Sequence, residues 1–196
     1  MKLLVATNNK NKLREIRKIL SNSSIELIPL SEFPDLPEPP ETQNTFQGNA
    51  LQKARFVAES TSLLVISDDS GLEVDALGGR PGVHSKRYSQ EATASANNQK
   101  LLKEMQGEAN RNARFQCAIA IVAGKKEKII MGKCEGSILH SPKGDGGFGY
   151  DPVFAPLDYK GKSMAQLSPD EKNHISHRAN ALKQLHQAML DMGLII

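Results

Sequence analysis

The order in which hydrophobic periodicity changes along the chain constrains the fold most. Lys2 to Ala6 is a short apolar run of strand length, and a polar loop follows from Thr7 to Lys12. Leu13, Ile16, Ile19 and Leu20 then recur at helical spacing, and Ile25 to Leu30 forms a second apolar run. Strand, helix and strand in succession predict a parallel crossover. Near the middle of the chain the pattern changes. Arg114 to Val122 and Lys128 to Cys134 flank Gly124-Lys125-Lys126, which reads as a hairpin. Parallel pairing early and antiparallel pairing late predict one α/β unit built on a mixed sheet with flanking helices.

Between these segments, Pro34, Pro37, Pro39 and Pro40 forbid regular structure. A helix is predicted from about Thr45, with Phe46, Ala50, Ala54 and Val57 on its inner face. A third strand, Leu63 to Ser67, is expected to end at Asp68-Asp69-Ser70-Gly71. Gly78 to Tyr88 reads as a loop, Ala92 to Met105 as a helix, and Ser141 to Tyr150 as a long glycine-rich loop. Ser168 opens one last helix, with Pro169 in its first turn and Glu171 completing a capping box. Its apolar stripe runs through Ile175, Leu182, Leu185 and Met189, and Gly193 ends it. No repeat or low-complexity linker divides residues 1–196, so a single domain is expected.

Composition narrows the function classes. Aromatic residues make up 5% and tryptophan is absent, so the core is aliphatic. The formal net charge of +3 shows no clustered basic face and argues against a nucleic-acid partner. Cys117 and Cys134 lack CxxC spacing, which argues against a disulfide framework or a zinc site, and the five histidines show no HExxH pattern. No apolar run approaches the ~20 residues that cross a bilayer, and the first residues do not resemble a signal sequence. The expected location is cytoplasmic, with no membrane partner.

Five segments carry possible chemistry. Thr7, Asn8, Asn9, Lys10, Asn11 and Lys12 join a strand to a helix, a setting that points unpaired backbone N–H groups and lysine charge at an anion. It also reads as a capped surface turn, and it is not a Walker A loop. Paired carboxylates at Asp68 and Asp69 repel without a cation, and magnesium takes one or two such ligands plus phosphate oxygens; an Asp-Ser-Gly turn is the plainer reading. Glu38 and Glu41 lie in the proline-stiffened loop, and Lys53 lies on the following helix, within reach of a phosphate or solvated. In the run Gly144 to Pro152, Phe148 offers a flat face for a base, or simply packs its own loop. Lys172 and Ser176, four apart on one helical face, complete the set with His177 and Arg178, which could bond the edge of a base; all four also read as a solvated helix face.

Taken together these segments resemble the inosine triphosphate pyrophosphatases of bacteria and eukaryotes. The strings that carry the resemblance are Ala6-Thr7-Asn8-Asn9 with Lys12, Thr45-Phe46 with Asn49-Ala50 and Lys53-Ala54, and Asp68-Asp69-Ser70-Gly71-Leu72. Gly78-Gly79-Arg80-Pro81-Gly82, Phe148-Gly149-Tyr150-Asp151-Pro152 and Ser176-His177-Arg178 follow in register. Asn8 and Ala179 stand where the family usually has glycine, and His84 where it often has an aromatic residue.

The resemblance implies a two-lobed α/β fold with a long mixed sheet around a central cleft, a homodimer, and Mg2+ as cofactor. It implies hydrolysis of deaminated purine nucleoside triphosphates, such as ITP, dITP and XTP, to monophosphate and pyrophosphate. Residue by residue, Thr7 to Lys12 and Lys53 would hold phosphates, Asp69 would be general base and metal ligand, and Ser70 would touch substrate. Glu38 would be the second metal carboxylate, with Glu41 its rival. Phe148, Gly149, Tyr150, Asp151, Lys172, His177 and Arg178 would bind the nucleoside. A septum-inhibitor-type pyrophosphatase acting on pyrimidine or modified nucleotides, and a nucleotide-binding module without turnover, are the alternatives.

Overall fold

The computed structural model describes residues 1–195. Six strands form one mixed sheet: β1 (Lys2–Val5), β2 (Glu26–Pro29), β3 (Val65–Val74), β4 (Asn112–Ala123), β5 (Lys126–Ile138) and β6 (Phe154–Pro156). Their spatial order is β2-β1-β3-β4-β5-β6. β1 pairs in parallel with β2, Leu3 opposite Leu27, and with β3, Val5 opposite Ile66. The two crossovers that this requires contain α1 (Lys10–Ile19) and α2 (Phe46–Thr61). β4 and β5 are joined through Gly124, whose φ of +59° suits glycine at the tight turn. β6 was not anticipated. It pairs antiparallel with β5, and a Cβ at Gly136 would overlap the Ala155 carbonyl and the Phe154 ring.

The chain divides into two compact units. The first comprises Met1–Asp69, Cys117–Gly132 and the residues from Arg178 onward. Its core is aliphatic: Leu3, Val5, Ile16, Ile66, Ile119 and Ile121 pack with Ala181, Leu185 and Met189. The second comprises Ser70–Gln116 and Lys133–His177. Its core gathers five aromatic residues of the chain, with Tyr88, Phe115, Tyr150 and Phe154 buried and Tyr159 packed beside them. α3 (Ala94–Glu104) lies in this unit, capped by Thr93, whose side chain accepts from the Ala96 amide.

Two expectations fail in an informative way. β3 does not stop before the acidic pair but continues through Asp68, Asp69, Ser70 and Gly71 to Val74. The pair therefore lies mid-strand, where ladder bonds and buried neighbours hold it. The last helix is also three helices: α4 (Pro169–Ile175), α5 (His177–Leu182) and α6 (Leu185–Asp191). Ser176 breaks the first junction by taking extended backbone, φ −62° and ψ 150°, as serine does at helix ends. The Ser168 and Glu171 capping box forms as the sequence predicts. Gly193, at φ +61°, closes α6 with amide bonds from Gly193 to Leu190 and from Leu194 to Met189, a Schellman arrangement. Among the described residues no helix is long and apolar enough to cross a membrane.

Candidate active site

In the first unit, β1 delivers the chain into the loop before α1. Thr7 Oγ1 accepts from the Asn9 amide at 3.2 Å, and Asn9 Oδ1 accepts from the amides of Asn11 and Lys12 at 3.0 and 3.2 Å. This matches the capped-turn reading of the loop: three of its amides are already engaged by its own side chains. The loop is stiff and free of acidic residues in the first helical turn. Its positive character rests mainly on lysines. Lys10 is exposed, and Asn11 Oδ1 takes Arg14 at 3.0 Å. Lys12 reaches inward and meets Asp68 at 2.5 Å.

Asp68 and Asp69 are both buried, at 1% and 7% exposure, yet their protonation is pushed in opposite directions. Burial raises the pKa of any carboxyl. At Asp68 the Arg178 guanidinium and the Lys12 ammonium outweigh it and hold the carboxyl well below the usual range. At Asp69 burial prevails over Lys53 and Lys12, Glu41 adds to it, and the pKa is raised despite a bond from Asn49. Asn49 Nδ2 donates to Asp69 Oδ2 at 3.1 Å, and Lys53 Nζ lies 3.5 Å from Asp69 Oδ1. Residues 49 and 53 sit four apart on α2, so one helical face delivers both. Asn49 is 2% exposed; its identity as the residue that orients Asp69 is new from the structure. The signal for it was a polar residue in an alanine-lined face.

Lys53 also donates to Glu41 at 2.5 Å and to the Asp68 carbonyl at 2.9 Å. Burial works to lower its pKa, but Asp69, Glu41 and Asp68 together raise it. Of the two acidic residues in the proline-rich loop, Glu41 is the one whose carboxylate reaches this cluster; Glu38 is exposed. Asp69 and Glu41 thus face one ammonium from two sides. Two carboxylates around one cation, with the rest of the shell left to phosphate oxygens and water, is a donor set that fits Mg2+. Among the described residues no three His, Cys, Asp or Glu side chains form a metal cage of their own.

Arg178, expected at the nucleoside, also lies within the first unit's ionic network. Its guanidinium is 1% exposed and donates to Asp68 Oδ2 at 2.7 Å, to Asp68 Oδ1 at 3.4 Å and to Glu15. These bonds set part of its guanidinium against two buried carboxylates. Ala179, one of the two glycine replacements, is 1% exposed inside α5. Asn8, the other, is exposed.

In the second unit the glycine-rich loop is closed by Asp151. Its Oδ2 accepts from the Phe148 amide at 2.7 Å and from Lys172 Nζ at 2.5 Å. A Cβ at Gly147, where φ is +70°, would overlap that carboxylate. Lys172 Nζ stands 4.6 Å from the Phe148 ring centroid, a cation–π contact. Tyr150 is buried and its hydroxyl donates to the Ser85 carbonyl at 2.9 Å, while Asn98 Nδ2 donates to the Gly149 carbonyl at 3.1 Å. Tyr150 and Asp151 are thus anchors of the loop, and Phe148 is its half-buried face. His177 stacks on Phe115 with centroids 4.8 Å apart and rings 16° from parallel. Ser70 opens this unit within β3, and His84 is exposed in the segment before Tyr88.

The chain is similar to proteins of known name. A protein called dITP/XTP pyrophosphatase from Geobacillus kaustophilus is 47% identical over 189 residues, covering 94% of this chain and 92% of that protein. One of the same name from Geobacter sulfurreducens is 50% identical over 188 residues, covering 94% of each. Among solved structures, a HAM1 protein from Coxiella burnetii superposes with a TM-score of 0.88 at 38% identity, covering 97% of this chain and 99% of that one. The Staphylococcus aureus Ham1 protein gives 0.85 at 37%, covering 97% and 98%. A sequence profile of the Ham1 family matches residues 3–188, and the chain belongs to that family.

Proposed function

We propose that this chain is a Mg2+-dependent pyrophosphatase that hydrolyses deaminated purine nucleoside triphosphates to the monophosphate and pyrophosphate. The observation that carries the proposal is Asp69: a buried carboxylate with a raised pKa, oriented by Asn49 and flanked by Lys53 and Glu41. Such a group sits ready to orient and deprotonate a water attacking the α-phosphorus. Lys12 and Lys53 both reach the Asp68 carbonyl, so two ammoniums stand together beside that carboxylate, suited to the charge of a triphosphate and a leaving pyrophosphate. Mg2+ held by Asp69 and Glu41 would supply charge neutralisation on the phosphate oxygens. Relatives that share about half of their residues with this chain carry the name dITP/XTP pyrophosphatase, which supports the same reading.

Phe148, with Lys172 against its ring, is the stacking face we assign to the base, and Lys172 and His177 are the donors we assign to its edge. A 6-oxo purine offers an acceptor where adenine offers a donor, so a site built on donors discriminates between them. Thr7, Asn9 and Ser70 are assigned to the phosphate end, and a homodimer to the assembly, measurable by light scattering.

The test is an assay of inosine, xanthosine, adenosine, guanosine and pyrimidine triphosphates, with and without Mg2+, scoring pyrophosphate against orthophosphate. Preference for the deaminated purines with release of pyrophosphate is expected. Orthophosphate as product, or preference for pyrimidines, overturns the proposal. Binding without turnover would make the chain a nucleotide-binding module.

A further inference from the structure

Four ionic side chains of the first unit are linked in a chain of contacts. Lys12 Nζ binds Asp68 Oδ1 at 2.5 Å, Asp68 is held by Arg178 at 2.7 and 3.4 Å, and Arg178 donates to Glu15. Glu15 and Lys12, the two ends of this chain of contacts, lie three apart on α1. The charges sum to zero, which is the condition for burying them together. Burial is uneven. The side chains of Asp68 and Arg178 are each 1% exposed, that of Glu15 is 10% exposed, and that of Lys12 is the most open at 14%. The Cys117 thiol also donates to Asp68 Oδ2, at 3.1 Å. Both oxygens of the Asp68 carboxylate are therefore fixed, and its carbonyl takes Lys12 at 3.3 Å and Lys53 at 2.9 Å.

We propose that Asp68, fixed by Arg178 and Glu15, is a positioning residue that presents the Lys12 ammonium to the triphosphate. It does no chemistry itself. An ammonium has three donors. Asp68 takes one through its carboxylate and a second, longer one through its carbonyl, which leaves the third for a ligand. A lysine on a free surface loses its side-chain freedom when it binds; one already held loses little, and binding is stronger for it. This inference rests on the assignment of Lys12 to the phosphates.

A double-mutant cycle tests it on the intact protein. Wild type, Asp68→Asn, Lys12→Ala and the double variant are compared for KM with inosine triphosphate and for inhibition by inorganic pyrophosphate. Asp68→Asn is expected to weaken both by about ten-fold in the wild-type background, and by less than about two-fold once Lys12 is alanine. A residue that merely staples the fold would act equally in both backgrounds, and an undiminished or absent effect of Asp68→Asn overturns the proposal. If Asp68→Asn does not fold, Glu15→Gln runs the same cycle two links from the ammonium, with an expected effect of about three-fold that again vanishes without Lys12. Should Lys12→Ala alone leave both constants unchanged, the assignment of Lys12 to the phosphates fails first, a result distinct from a cycle that is additive.

Discussion

Two buried carboxylates, Asp68 in the first unit and Asp151 in the second, each hold a lysine at 2.5 Å, and they use it differently. Asp68 sits in regular strand and accepts from two side-chain cations and a thiol. Asp151 sits at the end of a loop and divides itself between the Phe148 backbone amide and Lys172. The first arrangement distributes charge: it makes a buried anion permanent and fixes cations around it. The second arranges shape: it folds residues 148–151 back on themselves and sets an ammonium on an aromatic face. A nucleoside triphosphate has both needs, a highly charged tail and a flat base.

Removing the permanent anion tests the comparison most severely. Asp68→Ala leaves Arg178 buried and half-compensated, and is expected to cost about 3–5 kcal/mol, or roughly 10 °C in melting temperature by calorimetry. A loss of only a degree or two would mean that the pairs of Asp68 contribute little to the fold. Its neighbour should behave in the opposite manner. Asp69→Asn is expected to lower kcat by about 10³ while leaving stability unchanged or slightly higher. The sign follows from the raised pKa. The fold binds the Asp69 proton more tightly than the unfolded chain does, so the ionised form weakens the fold as pH rises through the interval above the ordinary value of 3.8. The same shift sets the acid limb of kcat/KM: activity should fall as pH drops through a value raised from the ordinary 3.8. An acid limb at or below 3.8 would remove Asp69 as the base.

The shape-setting carboxylate should give a smaller and different response. Asp151→Asn keeps an acceptor for the Phe148 amide but loses the charge beside Lys172, with an expected cost of about 1–3 kcal/mol. KM should rise more than kcat falls, because the loop is loosened while Asp69 is untouched; an equal loss in both constants would merge the two roles. Smallest of all is Ala179→Gly in α5, expected to lower stability by about 1 kcal/mol through helix propensity. A gain in stability would show that the family's usual glycine fits this site better than alanine does.

Much of this was legible in the sequence, for reasons that differ between elements. The crossovers of β1, β2 and β3 could be read because apolar runs alternate with a helical stripe, and the capping box at Ser168 because its chemistry is local. The extension of β3 beyond Ser67 could not be read, since two aspartates followed by Ser-Gly mimic a turn; their partners are distant in sequence, Arg178, 110 residues away, with Lys12 for Asp68, and Asn49 with Lys53 for Asp69. For the same reason the pairing of Arg178 with Asp68 and Glu15 has no signature in the sequence. Long-range ion pairs leave no periodic trace. Glu38 and Glu41 were equivalent by composition, and only the path of the chain brings Glu41 to Lys53. At the first loop the anion-site and capped-turn readings both stand in the sequence, and the Asn9 cap on its own helix bears out the capped turn.

The mid-strand position of the acidic pair has one more consequence. Successive side chains of a β-strand leave opposite faces of the sheet, which is how neighbours in sequence come to face Arg178 in one case and Asn49 with Lys53 in the other. A slip of a single residue in β3 would turn both to the opposite face, so that only one of them could stand in the other's place. The pair is therefore a two-letter word whose spelling is guarded by hydrogen-bond register: both letters are aspartate, and only the parity of the strand tells them apart.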